Sequence, residues 1–254
     1  MRVADEKWGN IPLLHVYSDE LTENSPVVIF LHGFGSAKEH NLHYAYQMVK
    51  KGIRVLLPDA LLHGERDKGY NEVEMNLHFW EIIFTSIKEV EFLYEQLKER
   101  GLLTNGKVGM SGSSMGAITT CGALKQYDWI DTASICMGAP GYVEFGEYLL
   151  SQVKELGLTW PVPEEELNRL KEMLALYDIT KTPEAFAGRP ILFWHGMKDQ
   201  TVPFEPTYRF YEQLRDLYED YPERLKFVED SHAGHKVTRE GVIEATTWLA
   251  DHLA

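Results

Sequence analysis

The chain has 254 residues, of which 44% are hydrophobic and 25% are charged, a composition typical of a globular protein and unlike that of a disordered or fibrous one. One α/β domain can accommodate this length, so a single domain is expected. The formal net charge of −14 would repel nucleic-acid phosphates and anionic membranes, so neither is expected as a partner. Residues 1–10 lack a signal-peptide apolar core and no run has membrane-span length, which predicts a cytoplasmic protein.

Short apolar runs alternate with longer stretches of helical periodicity, the pattern of βαβ units around a parallel sheet. An extra antiparallel strand, Ile11–Tyr17, is expected ahead of them, because a polar turn follows it. The predicted parallel strands are Val27–His32, Ile53–Leu57, Lys107–Ser111, Ala133–Met137, Pro190–Trp194 and Leu225–Val228. The predicted helices are Ala37–Lys51, Glu72–Arg100, Met115–Gln126, Phe204–Tyr218 and Thr238–Leu253. The fold class is therefore α/β, with a mostly parallel sheet and helices on both faces.

The stretch from about residue 141 to residue 188 interrupts this alternation. Its two amphipathic segments, Val143–Glu155 and Pro163–Tyr177, flank turn-prone residues, and the whole is too long for a simple crossover. It is predicted to be a small helical cap above the carboxyl edge of the sheet, where open α/β sheets bind ligands. The alternative is a long crossover with an extra helix. Its aromatic residues are expected either to line a pocket or to form the cap's own core, namely Tyr142, Phe145, Tyr148 and Trp160.

The segment Gly112-Ser-Ser-Met-Gly116 directly follows a predicted strand and opens a predicted helix. Small residues stand where a sharp strand-to-helix turn would crowd side chains. This is the setting of a nucleophile elbow, in which the turn exposes the serine hydroxyl and the helix amino end favours negative charge. The pattern predicts a serine hydrolase of the α/β-hydrolase type with Ser114 as nucleophile. The alternative is a glycine-rich turn.

Acyl transfer by a serine also needs two preorganised N–H donors for the oxyanion. The first expected donor is Met115, the residue after the nucleophile. The second should come from the loop after an early strand, which here reads His32-Gly33-Phe34-Gly35, so Phe34 is expected to supply it. His32 and Gly33 are predicted to contact the substrate. The alternative is a tight turn into the next helix.

The serine hydroxyl needs an imidazole to take its proton and a carboxylate to hold that imidazole, in the chain order Ser, acid, His. Asp199 lies just past the strand Pro190–Trp194 and is favoured as the acid. Its rival, Glu205, lies at the start of a helix, where carboxylates often serve only the helix dipole. His232 and His235 share the loop after the last strand, and their spacing leaves both open as the base.

His63 follows the strand Ile53–Leu57. It is expected either to line the substrate pocket at the same sheet edge or to lie in a solvated loop. The sequence contains neither H-E-x-x-H nor a dinucleotide fingerprint, and its histidines lack metal-ligand spacing. No cofactor and no metal are therefore expected.

Four segments, spread over nearly the whole chain, together resemble the bacterial YitV-type esterases of the α/β-hydrolase superfamily, near the dienelactone hydrolases and prolyl-oligopeptidase-like enzymes. They are His32-Gly-Phe-Gly-Ser-Ala-Lys-Glu-His-Asn41, Gly112-Ser-Ser-Met-Gly116, Trp194-His-Gly-Met-Lys-Asp199 and Gly234-His235. The resemblance implies a carboxylesterase acting on short acyl esters, and it selects His235 as the base. It also implies Ser114, Asp199, Phe34 and Met115 in the roles given above. Dienelactone hydrolases use a cysteine nucleophile, which this elbow lacks.

The sequence thus predicts a serine carboxylesterase that cleaves a small-molecule ester through an acyl-enzyme intermediate. Two alternatives stay open. One is a peptidase or acyltransferase on the same triad, and the other is a non-catalytic relative that binds a ligand. The oligomeric state and the natural ester are left open by the sequence.

Overall fold

The computed structural model describes residues 1–155, 157 and 163–254. The strands found in these residues belong to one sheet. They are β1 (Arg2–Trp8), β2 (Ile11–Tyr17), β3 (Val27–Leu31), β4 (Arg54–Pro58), β5 (Val108–Ser113), β6 (Thr132–Cys136), β7 (Ile191–Gly196) and β8 (Leu225–Asp230). Their order across the sheet is β1-β2-β4-β3-β5-β6-β7-β8. β2 pairs antiparallel with both β1 and β4, and every later neighbour pair is parallel.

The helices lie on both faces of this sheet, as predicted. They are α1 (Leu42–Val49), α2 (Glu72–Leu77), α3 (Phe79–Glu99), α4 (Met115–Gln126), α5 (Tyr142–Glu155), α6 (Glu164–Tyr177), α7 (Phe204–Leu214) and α8 (Arg239–Leu253). Within the described ranges, no helix combines the length and the apolar character needed to cross a membrane.

Strand β3 shows how the sheet is buried from both sides. Val28 and Phe30 pack in a cluster with residues of α1 and α8. Val27, Ile29 and Leu31 point the opposite way, into a cluster with residues of α3 and α4. A strand covered on both faces has an uninterrupted apolar sequence, which is why Val27–Leu31 reads as five consecutive hydrophobic residues. Helices therefore cover β3 on both faces of the sheet.

The sequence prediction did not include β1. Residues Arg2–Trp8 include four charged side chains and show no apolar alternation, and all but Trp8 are at least partly exposed. The strand lies at the sheet edge and is held by its antiparallel ladder with β2. Three predicted helices also differ. Ala37–Lys51 opens with a 3₁₀ turn before α1, Glu72–Arg100 divides at His78 into α2 and α3, and Phe204–Tyr218 is α-helical only to Leu214 and ends in a 3₁₀ turn.

The predicted cap region contains α5 and α6, which pack on each other and on α4. Tyr142 at the start of α5 is fully buried, and its hydroxyl donates to Ile118 O of α4 at 2.6 Å. This residue therefore belongs to the core. The turn-prone residues 158–162, with Trp160, lie outside the described residues. The interpretation of residues 141–188 as a cap, within one domain, stays a prediction.

Candidate active site

Ser114 occupies a sharp turn between β5 and α4. Its φ of +54° lies in the left-handed region, which non-glycine residues rarely adopt. The turn is anchored because the Ser114 N–H donates to Cys136 O of β6 at 3.0 Å. A Cβ on Gly116 would collide with Leu31 O, and one on Gly112 would collide with the Gly116 backbone. Glycine at both positions therefore lets the strand and the helix approach closely enough to form the elbow.

The structure brings Ser114, His235 and Asp199 together from three separate loops. His235 Nε2 lies 2.8 Å from Ser114 Oγ. On the other side of the ring, His235 Nδ1 lies 2.7 Å from Asp199 Oδ2. With Asp199 accepting from Nδ1–H, Nε2 carries the lone pair and is in place to receive the serine proton. The three residues form one hydrogen-bonded chain.

The Asp199 carboxylate is buried yet well supplied with donors. Its Oδ1 accepts the N–H groups of Thr201 and Val202 at 2.9 and 3.0 Å. Burial opposes the negative charge, but hydrogen bonds from His195, His235 and Val202 outweigh it and hold the pKa of Asp199 below its usual range. The carboxylate is therefore ionised at neutral pH.

His195 is a site residue that the sequence reasoning missed. It lies on β7, is fully buried, and has Nε2 3.4 Å from Asp199 Oδ2. The same Nε2–H donates to Val202 O at 2.9 Å. A histidine four residues before the acid, at the end of a buried strand, was the available signal. His195 holds the Asp199 loop.

The two rival residues lie elsewhere. Glu205 is exposed in the first turn of α7. His232 is exposed, and its Nδ1 lies 3.1 Å from the hydroxyl of its neighbour Ser231. Neither takes part in the Ser114 hydrogen-bonded chain.

The backbone N–H groups of Phe34 and Met115 donate to no acceptor among the described residues. Met115 is the first residue of α4, where amide groups have no intrahelical partner. The loop that carries Phe34 lies against the nucleophile, because a Cβ on Gly33 would be 3.5 Å from Ser114 Cβ. Within the described part of the chain both amides are thus without an acceptor, and their role as oxyanion donors stays a prediction.

Both ring nitrogens of His32 and of His63 have hydrogen-bond partners within the protein, and contact of these residues with a substrate stays a prediction. His32 Nδ1–H donates to Gly33 O at 2.8 Å, and Nε2 accepts the Ala60 N–H at 3.0 Å. His63 Nδ1–H donates to Leu61 O and Nε2 accepts the Gly35 N–H, both at 2.9 Å. Both side chains are buried, so His63 does not lie in a solvated loop either. Both rings therefore connect the loop after β3 to the loop after β4.

Burial keeps both rings neutral. It lowers the pKa of His32 to about 4, although the hydrogen bond to Gly33 O opposes the change. Burial also lowers the pKa of His63, against the hydrogen bond to Leu61 O. A neutral ring has one N–H and one lone pair, which matches the donor and acceptor roles that each histidine plays.

An apolar cavity of about 190 Å³ lies between the start of α5 and the start of α7. Phe145 and Tyr148 line it, and the Tyr148 hydroxyl donates to Gln200 O, next to Asp199, at 2.7 Å. Aromatic contacts continue from Phe145 to Phe79 at 6.2 Å and from Phe79 to Phe34 at 5.6 Å between ring centroids. These aromatic residues extend from the cavity to the Phe34 loop.

Among the described residues, no group of three or more histidine, cysteine, aspartate or glutamate side chains is arranged to hold a metal ion. The two cysteines, Cys121 and Cys136, are buried as free thiols. Burial raises the pKa of Cys136 to about 12, so this thiol stays protonated at neutral pH.

Comparison with known proteins gives concordant findings. The model of the prolyl oligopeptidase family matches residues 85–254. The "Putative esterase YitV" of Bacillus subtilis (strain 168) is 42% identical over 254 residues, covering 100% of both chains. Esterase YjfP of Escherichia coli (strain K12) is 29% identical, again covering 100% of both. The predicted resemblance to YitV-type esterases is confirmed.

A solved structure shares the architecture. The crystal structure of TT1662 from Thermus thermophilus is similar with a TM-score of 0.73 and 23% identity, covering 100% of this chain and 99% of that chain. Together with the mostly parallel eight-stranded sheet, this likeness confirms the predicted α/β-hydrolase fold.

Proposed function

The chain belongs to the prolyl oligopeptidase family, and we propose that it is a serine carboxylesterase that hydrolyses short-chain carboxylic esters through Ser114, His235 and Asp199. It is an ester-hydrolysing enzyme, like the esterases to which it is similar. The observation that carries the proposal is the His235 ring, which contacts Ser114 Oγ at 2.8 Å and Asp199 Oδ2 at 2.7 Å. The chain order Ser, Asp, His is that of α/β-hydrolase triads.

In the first half of the reaction, Ser114 Oγ attacks the ester carbonyl carbon while His235 Nε2 takes the hydroxyl proton. Asp199 holds Nδ1–H and stabilises the imidazolium that forms. When the tetrahedral intermediate collapses, the imidazolium returns the proton to the leaving oxygen. The alcohol departs and an acyl group remains on Ser114.

In the second half, water attacks the acyl carbon while His235 Nε2 takes a proton from the water. When this second tetrahedral intermediate collapses, the bond from the acyl carbon to Ser114 Oγ breaks and the imidazolium gives the proton to Oγ. The carboxylic acid leaves and the Ser114 hydroxyl is restored. In both halves the carbonyl oxygen becomes negative, and the N–H groups of Phe34 and Met115 are proposed to hold it. Such donors are effective because they are oriented before the charge develops, and losing one typically costs ~10²–10³-fold in kcat.

The apolar cavity beside α5 supports the proposal that the substrate is an ester with a short acyl group. It lies next to the Asp199 loop and is bordered by Phe145, Tyr148 and two prolines, Pro203 and Pro206. We assign the predicted cap, residues 141–188, to this role: α5 would close one side of the acyl site above the sheet edge. The cap and the sheet would then belong to one domain, residues 1–254.

Replacement of the nucleophile tests the proposed function. Ser114→Ala is expected to abolish hydrolysis of p-nitrophenyl butyrate and covalent labelling by a fluorophosphonate, without lowering the melting temperature. Ser231→Ala, an exposed serine in the neighbouring His235 loop, is the matched control and should keep both activities. A Ser114→Ala protein with parental esterase activity would refute the proposal.

Peptidase or acyltransferase activity on the same triad is tested on the same protein. Alanine p-nitroanilide and p-nitrophenyl butyrate are compared at equal enzyme concentration, with methanol added as an acyl acceptor in a parallel series. The proposal expects the ester to be cleaved far faster than the anilide. It also expects the free acid, not the methyl ester, as the main product. The reverse order would support a peptidase.

A further inference from the structure

The loop that carries Phe34 is flexible by composition, because glycines flank Phe34 on both sides. Gly35 has a φ of +70° and meets nothing within 4 Å of an added Cβ. An oxyanion donor is useful only when it is fixed in direction before the reaction. Contacts from outside the loop must therefore hold residues 32–36 in place.

A second loop, residues 59–65 after β4, supplies these contacts. The Gly35 N–H donates to His63 Nε2 at 2.9 Å. The Lys38 N–H donates to Asp59 Oδ1 at 2.9 Å, and in the opposite direction the Ala60 N–H donates to His32 Nε2 at 3.0 Å. Each of these three hydrogen bonds runs from a backbone N–H on one side to a side chain on the other, so together they join the two loops.

Lys38 and Asp59 also form an ion pair through their side chains. Lys38 and Asp59 are both fully buried, and Lys38 Nζ lies 3.4 Å from Asp59 Oδ2 and also contacts Glu65. Burial opposes the positive charge, but the hydrogen bond that Lys38 donates to Glu65 and the Asp59 charge outweigh it and raise the pKa of Lys38. The end of the Phe34 loop is therefore tied down.

His63 contacts Gly35, the residue after the proposed oxyanion donor Phe34. The His63 Nδ1–H donates to Leu61 O, which leaves Nε2 as the acceptor for Gly35. The ring also meets Phe34 edge to face, with 5.4 Å between centroids. The Gly35 N–H belongs to the peptide group that begins at the Phe34 carbonyl. The hydrogen bond from Gly35 to His63 fixes this peptide group and thereby restricts rotation of the Phe34 backbone.

We propose that His63 is a positioning residue of the oxyanion hole: by accepting the Gly35 N–H it fixes the direction of the Phe34 N–H, without touching the substrate. This inference rests on the proposed function, since it concerns the same donor loop. It assigns to His63 a role in transition-state binding and not in ground-state binding.

Two amide replacements of different length separate the two hydrogen bonds of His63. Asparagine has an amide N–H near the Nδ1 position and can keep the bond to Leu61 O, but it has no acceptor at the Nε2 position. Glutamine places its amide oxygen near the Nε2 position and can accept the Gly35 N–H. His63→Asn is therefore expected to lower kcat about 10- to 100-fold with KM changed less than about twofold, the scale of a misplaced catalytic group. His63→Gln is expected to stay within about fivefold of the parent.

His15→Asn is the matched control. His15 is also buried and also uses both ring nitrogens, with Nδ1 3.0 Å from Glu6 Oε1 and Nε2 accepting from Arg54 at 2.8 Å. It lies on β2, whose neighbours are β1 and β4. His15→Asn should lose thermal stability much as His63→Asn does, while its kcat at 25 °C stays near the parental value.

A trifluoromethyl ketone gives a second measurement, because Ser114 adds to its carbonyl and the oxygen becomes an oxyanion. Its inhibition constant should rise in His63→Asn by the same factor as kcat/KM falls. Unchanged kinetics in His63→Asn, or equal losses in the asparagine and glutamine variants, would overturn the inference. So would an equal loss of kcat in His15→Asn. Failure of the parent protein to react with fluorophosphonate at Ser114 would instead refute the proposed function.

Discussion

The buried imidazole of His195 lies against the carboxylate of Asp199, with 3.4 Å between Nε2 and Oδ2. The same Nε2–H donates to Val202 O, and the Val202 N–H donates to Asp199 Oδ1. His195 therefore contacts the same Oδ2 that accepts from His235 Nδ1, while Val202 holds Oδ1. The carboxylate that orients His235 is thus itself oriented from β7.

Removing the His195 ring is expected to weaken this orientation. His195→Leu should lower kcat about 10-fold with KM nearly unchanged, because a small misplacement of His235 slows proton transfer more than substrate binding. His195→Gln keeps an N–H that can reach Val202 O and should lose less. Steady-state kinetics with p-nitrophenyl butyrate, with melting curves to show that both variants fold, measure the difference. Equal kcat values in the two variants would contradict this role.

Neutralising the acid is expected to have a much larger effect. Asp199→Asn keeps the shape of the side chain but presents an amide to His235, which favours the wrong imidazole tautomer and lowers kcat by ~10⁴-fold in the Ser-His-Asp hydrolase example. A loss of this order is expected here. Glu205→Gln changes the rival carboxylate, which is exposed in α7, and should leave kcat within about twofold. A large loss in Glu205→Gln with an active Asp199→Asn would reverse the assignment.

The two histidines of the β8–α8 loop give an equally direct test. His235→Ala removes the group 2.8 Å from Ser114 Oγ and should reduce hydrolysis to the residual rate that the oxyanion donors and binding alone support. His232→Ala removes an exposed ring and should change neither kcat nor KM. Rates of fluorophosphonate labelling should follow the same order. If the His232 variant were the inactive one, the proposed base would be wrong.

Local patterns were enough to predict the elements around Ser114. The boundaries of α4 agree with prediction, because a strand, a glycine-flanked turn and a helix follow each other within residues 107–126. The loops proposed to carry the acid and the base were predicted in the same way, after β7 and β8. Each of these features depends on residues that are close in sequence, so hydrophobic periodicity and turn composition identify them.

Features that depend on contacts between distant residues were missed. β1 has no apolar periodicity of its own and is defined by its pairing with β2. The hydrogen bonds of His32 and His63 were not predicted either: β3 and β4 are neighbours in the sheet, so the loops after these strands meet and each ring accepts a backbone N–H of the other loop. A sequence shows that a histidine follows a strand and does not show which backbone amide faces it.

Protonation of His32 is expected to make the fold acid-sensitive. Its pKa is about 6.5 in an unfolded chain and about 4 in the folded protein, where burial opposes the charge. Between these values the unfolded state binds a proton that the folded state does not, so stability is fully present above pH 6.5 and falls as pH drops towards 4. At 1.36 kcal/mol per unit, the loss is about 3 kcal/mol in the free energy of unfolding.

Urea unfolding of the parent and of His32→Gln between pH 7.5 and 4 measures this contribution. Glutamine can accept the Ala60 N–H but does not titrate, so the variant should lose less stability between pH 6.5 and 4 than the parent. His63 adds a loss of the same sign, since burial lowers its pKa too, and it is present in both proteins. His232→Gln, which replaces an exposed histidine, should show the parental slope. Identical slopes for His32→Gln and the parent would mean that another group controls acid unfolding.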